Sequence, residues 1–473
     1  MRRDIVSAYA ASASRVLSWV IVSALVYRRS HEAFAMMALI RGTIGILNYA
    51  ALGLLPAMIR ALAAIPQLVP VPVVSISESE DAIPLPYVTP QTTRDQARGL
   101  RANPDETVQR IYGAGTAIAT VTAIVSLLLC GIAAGFANHL FRIPEGDMSE
   151  SVSILILSMG AGIVTRWYSE PSAAILQVRR DIFLDNCLQV TAELGWVLLG
   201  VTFIYRGLFY GELLRCVGVS YFLSSVLLLV SRMTAAKRTA HVIFTANTTW
   251  KILLPLLATG ALITLAQLAD YLYSPTDYLL INHLLTSIDL THYAPAVQID
   301  SGLLLLVTGL GSVLLPKAAL AHAAGNREVV RAYYLRGTIA SAATLIAASA
   351  VIYFASPLIF RLWFGQPMPG TVAILPLVLL NTIIGGSSAV GRAILIGIGK
   401  AKPFTIAVLL AGVTNVICSY VFVRYCHWGL HGIILGTIVA VMFRCGIWMP
   451  WYVLKELRIG NGLRVTGGPP VSF

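Results

Sequence analysis

The chain has 473 residues, 57% of them hydrophobic and only 12% charged, with a formal net charge of +12. Soluble proteins carry about 25% charged residues, so the composition excludes a soluble globular domain. The apolar residues cluster in runs such as Ile118–Cys130, Leu223–Val230 and Leu303–Leu315, too weakly amphipathic for surface helices.

A bilayer core takes about 20 apolar residues per helix, and helices satisfy their own backbone groups where water is absent. The sequence therefore predicts an all-α polytopic membrane protein of about twelve spans, near 5–26, 33–60, 110–138, 151–177, 183–205, 211–231, 250–274, 291–316, 329–355, 370–397, 403–423 and 430–453. The first stretch is long and shows no small-residue cleavage site, so it reads as a retained span rather than a signal peptide. Pro255, Asp270, Pro275 and Asp277 interrupt the seventh.

Lys and Arg collect in cytoplasmic loops. With Arg2 and Arg3 inside, twenty basic residues fall inside, Arg232 among them. Six fall outside: Arg28, Arg29, Arg142, Arg206, Arg361 and Arg424. This bias predicts both termini in the cytoplasm. It also assigns the positive charge to topology and anionic lipid headgroups, with no nucleic acid implied. The six Cys show no CxxC pairing and read as small hydrophobes in a packed bundle.

Two halves overlay. Glu106-Thr107-Val108 with Tyr112 and Gly115 matches Glu328-Val329-Val330 with Tyr334 and Gly337. Phe141-Arg142 matches Phe360-Arg361, and Ala174-Ile175-Leu176 matches Ala393-Ile394-Leu395, all in the same order. The expected domains are six-helix lobes at 1–240 and 241–473, in parallel orientation. Such repeats place a substrate between them. The first half carries an insertion at about 66–103, rich in proline and without period, which reads as a cytoplasmic loop outside the transport core.

Tyr27-Arg28-Arg29 followed by Glu32-Ala33-Phe34, and Leu52-Gly53-Leu54 through Arg60, resembles the first helix pair of the polysaccharide flippases. Asp277-Tyr278-Leu279-Leu280 with Tyr293-Ala294-Pro295-Ala296, and Leu314-Leu315-Pro316 with Ala324-Gly325-Asn326-Arg327-Glu328, resemble later segments of the same family. Arg29-Ser30-His31 departs from its usual Leu-Gly-Pro, and the insertion is unusual. The resemblance implies the multidrug/oligosaccharidyl-lipid/polysaccharide exporter fold, MATE-like, with two six-helix lobes forming a V around a cavity. It further implies flipping of a polyprenyl-diphosphate-linked oligosaccharide across the cell (cytoplasmic or inner) membrane by alternating access. That step would feed a surface polysaccharide such as the O-antigen of lipopolysaccharide, with other polysaccharide-assembly proteins as partners.

Ionisable groups at membrane depth are costly and face a cavity or a partner. The first half has Arg15, Arg41 and Arg166, with Glu170 and Glu193. A pyrophosphate headgroup needs fixed positive charge, and Arg supplies a permanent charge and a planar donor fork. The substrate-binding candidates are therefore Arg15, Arg41 and Arg166, with Trp167 as a stacking platform for a sugar. The competing reading is internal pairing, clearest for Arg166 and Glu170, which a spacing of four puts one turn apart. In the second half Asp270, Asp277 and Asp300 are candidates to couple transport to Na⁺ or H⁺. For Asp277 the alternative is a solvated mouth.

No catalytic residue, metal ligand set or other cofactor is expected. Gly397-Ile398-Gly399-Lys400 lacks the Walker spacing, and no HExxH occurs. The leading alternative is a cation-coupled multidrug or metabolite antiporter of the same superfamily. A membrane glycan polymerase or ligase is the alternative from another class, disfavoured by short outer loops.

Overall fold

The structure is a computed structural model. It describes residues 2–458 apart from 66–103, most of 244–273, and short gaps at 46, 48–50, 52, 64, 142, 144–146, 180, 324–325 and 399. The insertion, Asp270 and most of the seventh expected span lie outside the described residues.

No strand occurs among the described residues. The first half contains α1 (Arg2–Tyr27), α2 (His31–Ile44), α3 (Leu54–Ala63), α4 (Pro104–Gly135), α5 (Ala137–Phe141), α6 (Asp147–Tyr168), α7 (Glu170–Val178), α8 (Ile182–Tyr205) and α9 (Leu213–Ala240). There follow α10 (Ser274–Leu284), α11 (Ser287–Ala323), α12 (Arg327–Phe364), α13 (Pro369–Ser387), α14 (Ala389–Gly397), α15 (Ala401–Arg424), α16 (Gly429–Val441), a π-helical stretch over Met442–Trp448, and α17 (Met449–Arg458).

Nine helical stretches among the described residues are long and apolar enough to cross a membrane, and each overlaps one expected span. The chain is a polytopic all-α membrane protein. Side chains such as Val121, Leu128, Leu198, Ile339, Phe354 and Leu362 are exposed on these helices, as lipid-facing surfaces require. The eighth expected span lies inside α11, a helix of 37 residues. The second is broken: α2 ends at Ile44, α3 begins at Leu54, and Gly53 between them has φ +54°. Hydropathy runs unbroken across that interruption, which is why the sequence reads it as one helix.

The repeat extends to the backbone. α7 and α14 are both nine residues, and α8 and α15 both twenty-four, with each pair set 219 residues apart. The sixth and thirteenth helices each stop at a serine, Ser169 (φ −78°, ψ −7°) and Ser388 (φ −74°, ψ −10°). Each hydroxyl donates back to a carbonyl three residues earlier, Arg166 O at 2.5 Å and Gly385 O at 2.6 Å. The same amide closes the next turn in both: Asp181 N donates to Leu176 O at 2.8 Å, and Lys400 N to Leu395 O at 2.7 Å. The matched glycines Gly115 and Gly337 both sit where another helix comes close, Gly115 against Met58 and Gly337 against Leu314 and Val390.

The chain gathers into two compact units. One comprises Met1–Gln298, Ser356–Val372 and Trp428–Leu430. The other comprises Ile299–Ala355, Ala373–His427 and His431–Phe473.

Candidate functional site

The α8 helix sets the site. Asp185, Gln189 and Glu193 are spaced by four, so they stack on one face, and Trp196 continues the stripe one turn on. Asp185, Glu193 and Trp196 are buried.

At the lower end of the stripe, Arg232 of α9 donates through Nε to Asp185 Oδ1 at 2.7 Å and through Nη1 to Ser169 Oγ at 2.9 Å. Gln177 donates to the other carboxylate oxygen at 3.0 Å. Both charges are almost fully enclosed. The topology count places Arg232 in a cytoplasmic loop. The structure instead buries it inside α9, which runs on to Ala240.

The upper end is different. Arg166 of α6 meets Glu193 Oε1 through Nη1, and Arg15 of α1 brings its Nε to 4.0 Å of the same oxygen. Arg166 also donates through Nε to Ser225 Oγ at 3.0 Å. Its partner is thus Glu193, not Glu170. The break at Ser169 puts Glu170 at the start of a new helix, so the four-residue spacing no longer lies on one helix face. Glu170 instead accepts from Leu55 N at 3.3 Å. Arg41 of α2 lies 3.6 Å above the ring of Trp19 and within electrostatic reach of Glu193. Among the described residues its guanidinium makes no hydrogen bond or ion pair.

Two of the three arginines, Arg41 and Arg166, lie over an aromatic floor. Trp19 and Trp196 pack edge to face with centroids 4.6 Å apart, and Tyr221 lies 5.1 Å from Trp196. Arg41 covers Trp19 from one side, while Arg166 covers Tyr221 at 4.4 Å. Gln189, in the amide orientation its neighbours require, accepts from Arg15 Nη2 and Arg232 Nη2, each at 3.3 Å. It joins the two ends of the stripe. Two cations, on α1 and α6, therefore approach one carboxylate on α8, and a third, on α2, lies within its electrostatic reach. The cluster carries two uncompensated positive charges, and Arg15 is its most open member, with a side chain 55% exposed.

Trp167, the candidate sugar platform, is 3% exposed and its indole N–H has no hydrogen-bond partner among the described residues. Of the acidic candidates, Asp277 is 1% exposed and accepts from Tyr293 Oη at 2.8 Å. It sits in the protein interior, not in a solvated mouth. Asp300 belongs to the other compact unit, half-buried on α11, and accepts from Thr382 Oγ1 at 2.5 Å. Among the described residues no three His, Cys, Asp or Glu side chains form a metal-ligand group.

The sequence reading names Arg15, Arg41 and Arg166, but leaves out Asp185, Gln189, Arg232, Trp196 and Tyr221 as site components. The four-residue spacing of Asp185, Gln189 and Glu193 within one span is the signal that marks the stripe.

A family model described as MatE matches residues 263–421. No curated protein matches the chain. Among solved structures, an inward-facing multidrug resistance MATE family transporter of the MOP superfamily is 18% identical. It aligns with a TM-score of 0.74 over 94% of this chain and 96% of its own. The lipid II flippase MurJ, in an inward closed conformation, is 16% identical with a TM-score of 0.66, over 95% and 87%. A MOP superfamily transporter from Pyrococcus furiosus, described as having a binding pocket of reverse polarity, is 16% identical with a TM-score of 0.60, over 96% and 94%. The chain has the fold these transporters share.

Proposed function

We propose that the chain is a membrane transporter of the MOP superfamily that flips a polyprenyl-diphosphate-linked oligosaccharide from the cytoplasmic to the outer leaflet. The observation that carries this reading is the convergence of Arg15, Arg41 and Arg166 on Glu193. A diphosphate diester carries two negative charges, matching the two that the cluster leaves uncompensated. Guanidinium groups suit phosphate oxygens in shape as well as charge, and a cationic drug would be repelled. The likeness to a lipid II flippase supports the same substrate class.

In this reading the lobes are 1–240 and 241–473, and both termini face the cytoplasm. Asp300, with Asp277 and Asp270, supplies the candidates for Na⁺ or H⁺ coupling. Membrane lipids and polysaccharide-assembly proteins are the partners. The likeness to a multidrug resistance transporter keeps cation-coupled drug antiport as the second reading.

The deciding experiment reconstitutes purified protein in vesicles. It compares flipping of a polyprenyl diphosphate oligosaccharide with proton- or sodium-driven uptake of a cationic dye. Flipping without dye transport is expected. Dye transport without flipping overturns the proposal.

A further inference from the structure

Resting on that reading, we propose that Glu193 is a positioning residue. It offsets part of the arginines' charge while the carrier is empty and yields them to the substrate's diphosphate. The geometry separates holding from binding. Arg166 stays anchored from the far side, where Nε donates to Ser225 Oγ at 3.0 Å and Nη2 to Ser224 Oγ at 3.5 Å. Losing Glu193 therefore does not release it. Arg15 stands 4.0 Å from Glu193 Oε1, too far for a hydrogen bond, with more than half its side chain open. Its hydrogen bond is to the Gln189 amide, at 3.3 Å, a neutral partner that a ligand's charged oxygen outcompetes. Glu193 Oε2 is buried and has no hydrogen-bond partner among the described residues.

Carboxylate and phosphate oxygens compete for the same guanidinium N–H groups. A carboxylate with one oxygen engaged and the other unmet is a permanent internal rival to the substrate. It weakens binding, and it recaptures the cations when the headgroup leaves, so the empty site does not trap an anion. Glu193 thus tunes affinity against release, without touching the sugar or the lipid.

The test uses a short polyprenyl diphosphate bearing one N-acetylglucosamine, with binding read by quenching of the tryptophan fluorescence and flipping read in vesicles. Glu193→Gln keeps the shape and removes the charge. It is expected to bind the probe about tenfold more tightly while the maximal flipping rate falls, so that KM and kcat drop together. Glu193→Asp draws the carboxylate back by one methylene and should lie between wild type and Glu193→Gln. A purely structural ion pair predicts the reverse: a lower melting temperature with weaker binding. Binding by Glu193→Gln that is unchanged or weaker overturns the proposal. If that variant does not fold, Glu193→Asp carries the test, and equal or weaker binding there overturns it. An Arg15→Ala control separates the two claims. Failure of the wild type to bind the probe, or undiminished binding by Arg15→Ala, sinks the headgroup reading and this inference with it. Weakened binding by Arg15→Ala without tightening by Glu193→Gln sinks the inference alone.

Discussion

Shifted by 219 residues, α7 and α8 land end for end on α14 and α15. The same shift turns Arg166 into Gly385, Asp185 into Phe404, Glu193 into Gly412 and Trp196 into Asn415. Where the first half buries charges, the second buries the ring of Phe404 and a neutral network in which Ser419 and Thr437 donate to Asn415 at 3.2 and 3.0 Å. The helix break is held by the same serine hydroxyl in both. The scaffold therefore does not need the charges. Buried ion pairs are weak evidence for stability in any case, and the second half keeps the same backbone without charges at these positions.

The comparison can be pressed hardest at Arg232. Arg232→Ala strands Asp185 in the interior and should cost about 3–5 kcal/mol, whereas replacing both partners with Met and Leu should be nearly neutral. Thermal unfolding in detergent, followed by tryptophan fluorescence, measures both. Equal losses in the single and double variants would mean that the first half does depend on its charges.

Next in size is the open cluster. Arg15→Ala should lose about 1.5–3 kcal/mol of headgroup binding, roughly ten- to a hundredfold, with insertion unchanged. Arg15→Lys should recover part, keeping the charge but not the fork. Matched flipping assays at equal expression check this.

The shared scaffold is tested at its glycines. Gly115→Leu and Gly337→Leu should each cost about 1–3 kcal/mol by overpacking, and by similar amounts, since both sit at a helix crossing. Gly115 should be the milder of the two, because its neighbour is the flexible Met58 side chain. Melting temperatures compared side by side give the answer.

The smallest effect belongs to the insertion. The second half passes from Pro316 to Glu328 in 12 residues where the first takes 50 from Pro56 to Glu106. Deleting Val71 to Gln91 should leave flipping near wild type. Loss of flipping at normal membrane levels would give the segment a role in transport.

Much of the fold was legible because lipid enforces it: a span must be apolar along its whole length. The repeat was legible in Tyr112 and Gly115 against Tyr334 and Gly337, where packing dictates residue type. Tyr112 shares a hydrogen bond with Ser172 at 3.1 Å, and Tyr334 packs against Gly391, the position matching Ser172. What could not be read was pairing. Arg166 and Glu170 look like neighbours only if the helix continues, and Ser169 ends it. Arg232 looks like a loop cation because the positive-inside rule counts residues near span ends without seeing a buried acid opposite. The break between α2 and α3 leaves no mark in hydropathy.

The place of Glu193 also sets an order of biogenesis. Translation delivers Arg15, Arg41 and Arg166 before that acid. An unpaired Arg at the centre of an inserting helix costs about 2.5–3.5 kcal/mol. The first helix, with Arg15 near its middle, must therefore keep that side chain toward water until α8 enters the bilayer. The first half is complete only after residue 193 has left the ribosome. Chains truncated after Tyr168 should be cleared from the membrane faster than chains truncated after Tyr205, and a pulse-chase of the two reads that order directly.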